Sequence, residues 1–126
     1  DHGKANLAYI RKQLAQLPSK MRFVSAQFNS MLTDGLWLQT AAHANSMAVQ
    51  LYERLKDIQS LQLSPPQANS LFPTIGHAHA ETLREWSFFW DWNQTLNQYR
   101  WMTSWATTTE DVDVFAGVVR SVLASS

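Results

Sequence analysis

The sequence predicts an α+β domain: long N-terminal helices followed by a small, mainly antiparallel sheet covered by helices. Apolar residues in the first half of the chain recur at alternating spacings of three and four, the helical period. Short aromatic-rich runs separated by turn-forming residues come next, as in strands. Thr108-Thr-Glu-Asp111 then opens a last amphipathic stretch, with hydroxyls and acids where a helix start favours them.

Leu7, Ile10, Leu14, Leu17, Met21, Val24, Phe28 and Met31 form the first stripe. Pro18 lies inside it, where a missing N–H and a clash with the preceding turn break helical structure. The phase survives, so a kinked long helix or two stacked helices are expected. Asp34-Gly35 reads as a stop. Residues 1–35 are therefore read as a linking helix or kinked pair, and 36–126 as the domain itself.

A helix over 36–58 follows, with Ala44, Ala48, Leu51, Leu55 and Ile58 on its apolar stripe. Its alanines allow a neighbouring element to approach closely. Residues 61–63 suggest a short strand that Pro65-Pro66 ends. A strand over 68–75 is expected at an edge or bulge, because Pro73 cannot donate to a ladder. A short helix over 77–86 precedes an antiparallel pair, 87–92 and 99–105, joined through 93–98. Strand alternation puts Tyr99, Trp101, Thr103 and Trp105 on one face, and Arg100, Met102 and Ser104 on the other. Val112, Phe115, Val119 and Val122 make the buried stripe of the last helix.

Composition narrows the function classes. Ten basic and ten acidic residues cancel, so bulk charge gives no support to a nucleic-acid or anionic-membrane partner. No apolar run approaches a membrane span and no signal peptide is visible. With no cysteine, disulfides, thiolate metal sites and cysteine nucleophiles are excluded, which fits a cytoplasmic location. The first residue is Asp1, not methionine, which reads as a fragment. Four of the six tryptophans fall between Trp86 and Trp101. That density reads first as a core face and otherwise as an aromatic binding platform.

Four groups are candidates for chemistry. His77 and His79 have a spacing that binds metal on a strand but diverges on a helix, so no metal site is expected. Glu110, Asp111 and Asp113 are explained by the helix dipole. Arg11, Lys12, Lys20 and Arg22 form either a solvated polar face or an anion site. Arg100 is a charge inside an aromatic strand, and must stack on Trp, pair with Asp91 or await an anionic substrate. A P-loop, a dinucleotide turn and a nucleophile–His–acid set are all absent, and four glycines argue against a backbone phosphate cradle.

Four segments resemble one family. Tyr9 to Phe28, with Arg11-Lys12 and Met21-Arg22, is similar to the segment after the cofactor lysine in threonine-aldolase-like proteins, the beta-eliminating lyase group. Leu36-Trp-Leu with Ala42-His-Ala-Asn-Ser-Met-Ala48 resembles their next helix, and Gln67-Ala-Asn-Ser-Leu-Phe72 their first small-domain strand. Tyr99-Arg-Trp-Met-Thr-Ser-Trp105 and Thr-Thr-Glu-Asp-Val-Asp113 resemble their last strand and helix. The resemblance implies the small C-terminal domain of a fold-type-I enzyme using pyridoxal 5'-phosphate. Such enzymes are homodimers or homotetramers that cleave threonine or allo-threonine to glycine and acetaldehyde. It implies that Arg100 grips the substrate α-carboxylate and that Lys12 and Arg22 lie near the active site. It further implies that the cofactor lysine belongs to a large domain preceding residue 1, so the chain alone is inactive. A fold-type-I aminotransferase domain and a stand-alone interaction module are the alternatives.

Overall fold

The computed structural model describes residues 2–16 and 18–124; Leu17 of the first stripe lies outside the described residues. The chain divides into two compact units, 1–37 and 38–126.

The first unit holds α1 (His2–Gln13) and α2 (Met21–Leu32). They are separate helices with Pro18 between them rather than one kinked helix. Arg11 Nε donates to the Gln16 carbonyl at 2.9 Å beyond the end of α1. Leu7, Ile10, Leu14, Met21, Val24, Phe28 and Met31 follow the helical period but are exposed, and α2 buries no residue. A 3₁₀ turn, Thr33–Gly35, ends the run with Asp34 and Gly35 at φ 54° and 71°. Thr33 leaves α2 in an extended conformation, and the Asp-Gly pair after it takes the left-handed conformation that Gly tolerates best and Asp better than most.

Helix α3 (Leu36–Leu55) enters the second unit and buries Ala44, Met47, Ala48, Leu51 and Leu55. Strand β1 is Ser70–Leu71, followed by α4 (His77–Arg84), β2 (Trp90–Asn93), β3 (Gln98–Met102) and α5 (Thr109–Ala124). The three strands are antiparallel in the order β1-β3-β2. Pro73 follows edge strand β1, and its carbonyl accepts from Tyr99 N–H at 3.0 Å. The expected strand over 61–63 is reduced to one bridge, Gln62 with Thr74. Pro65-Pro66 has no N–H with which to continue it.

The pleat of β3 sorts its side chains as expected: Tyr99 and Trp101 are buried, Arg100 half-buried and Met102 exposed. Tyr99, Trp101, Phe89 and Leu71 join Leu51 and Leu55 of α3, Ala80 and Leu83 of α4, and Val112, Ala116 and Val119 of α5 in one core. Phe115 and Val122 of α5 are only partly buried against it. Trp101 packs edge-on to Phe115 at 5.1 Å and to Phe89 at 6.0 Å. Thr103 continues the buried face, but the strand ends at Met102. A Ser104–Thr107 turn then carries Trp105 away, 72% exposed.

The aromatic cluster departs from its first reading. Trp101 is 3% exposed, whereas Trp86 and Trp90 are each 66% exposed and Trp92 57%. The tryptophans of 86–92 are not a core face, because the helices of the second unit pack on the side of its sheet that Tyr99 and Trp101 occupy.

At the start of α5, Thr108 N–H and Oγ1–H donate to Asp111 Oδ2 at 2.8 and 2.7 Å, and Asp111 N–H returns a bond to Thr108 Oγ1 at 3.1 Å. This reciprocal box is the cap that the hydroxyl-acid pattern anticipates. None of the described helices is long and apolar enough to cross a membrane.

Candidate functional site

The face of the sheet opposite Tyr99 and Trp101 carries Arg100. Its cross-strand neighbour is Trp90, and β2 contains a bulge between Asp91 and Asn93 that inserts Trp92 as an extra residue. A bulge re-aims the side chain it carries. Here the Trp92 ring centre lies 5.7 Å from the Arg100 Cζ, within cation–π range. Phe72, just after β1, tilts against Trp92 with ring centres 4.8 Å apart. Ser70 is buried and its Oγ accepts from Arg100 Nε at 3.3 Å. The guanidinium is therefore held between a hydroxyl on one strand and an indole on the other.

Asp91 is not the partner of Arg100. Its Oδ1 accepts from Arg84 Nη2 at 2.5 Å, and Arg84 also bonds Glu81 at 2.7 Å. The Arg84 hydrogen bond, the leading cause, holds the Asp91 carboxyl below its ordinary range. Arg84 in turn lies 5.2 Å from the Phe89 ring centre and 5.4 Å from that of Tyr99. The acid on the strand beside Arg100 is thus engaged by α4.

The other candidates separate. Lys12, in the last turn of α1, and Arg22, in the first turn of α2, are exposed in the first unit. His77 begins α4 with Nδ1 3.5 Å from the Tyr99 hydroxyl. No group of three or more metal-ligating side chains occurs among the described residues. Asp111 caps α5, and Asp113 pairs with Arg54 at 2.8 Å. A cleft of about 560 Å³ beside α5 is lined by Trp86, Phe88, Trp101, Met102 and Glu110 among others, and does not include Arg100.

Ser70, Phe72 and Trp92 were not singled out from the sequence. The one available signal was the Trp-x-Trp alternation of Trp90 and Trp92, which places both on one face of an unbulged strand. Which residues of β1 reach Arg100 depends on a register that sequence does not specify.

A small three-stranded antiparallel sheet with helices on one face is an α+β fold that recurs in a threonine aldolase. The solved threonine aldolase of Leishmania major matches 77% of this chain and 29% of its own length, with a TM-score of 0.65 and 26% identity. No family model matches the chain. The low specificity L-threonine aldolase of a Pseudomonas species (strain NCIMB 10558) is 38% identical over 120 residues, 93% of this chain. That of Pseudomonas aeruginosa is 36% identical over 118 residues, 91% of this chain. The chain spans about a third of the length of these curated relatives, 34% of each. The resemblance to threonine aldolases read from the sequence is borne out, as is the α+β fold class.

Proposed function

We propose that this chain is the C-terminal small domain of a pyridoxal-phosphate-dependent, threonine-aldolase-like lyase, and that Arg100 binds the α-carboxylate of its amino-acid substrate. One observation carries the assignment of Arg100. Its Nε is taken by Ser70, no other hydrogen bond to it is found among the described residues, and Asp91 is engaged elsewhere. A half-buried cation without an acidic partner suits an anionic ligand, and a guanidinium matches a carboxylate through two parallel bonds.

In such a lyase, pyridoxal phosphate when bound supplies the electron sink for cleavage of the Cα–Cβ bond. Lys12, Lys20 and Lys56 do not fit covalent attachment of that group. Lys12 and Lys20 are exposed, and Lys56 is exposed and bonded to Glu53. The chain's own role is to bind and orient: a clamped carboxylate restricts which bond at Cα faces the reacting centre. On this reading a large domain brings the cofactor lysine, Lys12 and Arg22 lie near the active site, and the enzyme is a cytoplasmic homodimer or homotetramer.

Two experiments test the reading. The chain mixed with pyridoxal phosphate should show no visible absorbance band that borohydride removes; such a band would overturn the assignment of the lysine to another domain. In the longer enzyme, Arg100→Ala should weaken the transition state for threonine cleavage by roughly 2–5 kcal/mol, as expected on truncating one partner of a buried charge pair. Unchanged kinetics would reduce Arg100 to a strand residue.

A further inference from the structure

We propose that Ser70 and Trp92 are positioning residues that make Arg100 take a single carboxylate end-on, through Nη1 and Nη2. The inference rests on the reading of Arg100 as a carboxylate clamp, and concerns which edge of the guanidinium does the clamping.

A guanidinium offers a carboxylate two double-donor edges. The side edge pairs Nε–H with one terminal nitrogen; the end edge pairs the two terminal nitrogens. In this structure the side edge is occupied, because Nε donates to Ser70 Oγ at 3.3 Å. Ser70 is 7% exposed, so its hydroxyl is not a mobile surface group. Strand register pairs Ser70 with Met102, two residues along β3 from Arg100 and on the same face, which is the diagonal from which a side chain reaches across.

Trp92 acts on the plane of the group. Without the bulge, Trp92 would stand opposite Gln98; with it, the ring sits 5.7 Å from Cζ. Phe72 tilts against that ring from β1 at 4.8 Å, limiting its rotation. The indole face and the serine hydroxyl come from strands on either side of β3. Together they restrain both the plane of the guanidinium and its rotation within that plane, leaving the end edge for ligand. An arginine so restrained loses less side-chain freedom on binding, which is why pre-organisation strengthens a contact without adding one.

The test uses the chain itself, with arginine side-chain nitrogen resonances followed by NMR at low temperature. Glycine is the probe, and glycinamide, which lacks the carboxylate, is the control. In the unsubstituted chain glycine should shift the Arg100 Nη signals while Nε stays in place. In Ser70→Ala the Nε signal should move as well, and the Nη shift per added glycine should fall roughly fivefold, the loss of about one orienting hydrogen bond. Ser70→Thr, which keeps the hydroxyl, should behave like the unsubstituted chain. Trp92→Leu should lower the Nη response and Trp92→Phe should restore it, since only the second retains an aromatic face. A purely structural role for either residue would not change which nitrogen responds. If Nε moves together with Nη in the unsubstituted chain, end-on binding is wrong while the carboxylate clamp stands. If no Arg100 signal distinguishes glycine from glycinamide, the clamp itself is wrong and this inference falls with it.

Discussion

Arg84 Nη2 donates to Asp91 Oδ1 at 2.5 Å, tying α4 to β2 and leaving Arg100 without an acid from its neighbouring strand. The pair separates two cations with different roles. Arg84 stacks beside Phe89 and Tyr99 and holds two carboxylates, whereas Arg100 rests on a neutral hydroxyl and an indole. Arg84→Ala should destabilise the chain by about 1–2 kcal/mol, combining cation–π and partly exposed ion-pair losses, read from urea unfolding. Asp91→Asn should leave the glycine response of Arg100 unchanged; a strengthened or weakened response would show that the two cations are coupled.

Thr103 gives a stability test away from the site. Its hydroxyl donates to the Ala44 carbonyl of α3 at 2.7 Å, and its backbone N–H and C=O exchange bonds with Asn69 at 3.0 and 2.8 Å. Thr103→Val keeps the shape and deletes the donor inside the core. It should cost about 1–3 kcal/mol by denaturant unfolding, while Thr103→Ser should retain most of the stability.

The tryptophans should divide sharply in mutational cost. Trp101→Ala removes a ring packed on Phe89 and Phe115, and should cost about 3–5 kcal/mol. Trp90→Ser, at a largely exposed position, should change stability by no more than about 0.5 kcal/mol. Equal losses at the two positions would mean that Trp90 is covered in the folded chain.

Acid should reach the cap of α5. The Asp111 carboxyl lies below its ordinary value of 3.8, chiefly because it accepts the Thr108 backbone N–H and next the Thr108 hydroxyl. A depressed folded pKa means that the stabilisation is complete above the unfolded value, about 3.9 for an aspartate. It is lost as pH falls through the lower, folded value. Asp111→Asn should therefore narrow the stability gap between neutral and strongly acid solution, measured by unfolding at each pH.

Much of the second unit was legible because period and pleat are local properties. Ala44, Ala48, Leu51 and Leu55 face the core as the spacing predicts, and Tyr99, Trp101 and Thr103 alternate with Arg100 and Met102. What was not legible depends on tertiary placement. Alternation says which of Trp90, Trp92 and Arg100 share a face, but not whether helices cover it. The bulge at Trp92 and the approach of Ser70 need strand register. The choice of Asp91 between Arg84 and Arg100 needs the position of α4.

Strand β2 closes the sheet on one side, and its outer edge has no strand partner among the described residues. Its sequence is Trp-Asp-Trp-Asn, so backbone groups without a strand partner lie beside exposed indoles. Such an edge is a template for a strand from another molecule. Asp91 is the one formal charge within β2, and with Glu81 it outweighs their shared partner Arg84, so like clusters on approaching copies oppose pairing. The same carboxylate that anchors α4 is thus a guard against fibrous or amorphous association, and its protonation in acid removes that guard as it loosens the fold. Concentrated preparations of the chain should be kept above the range in which Asp91 titrates.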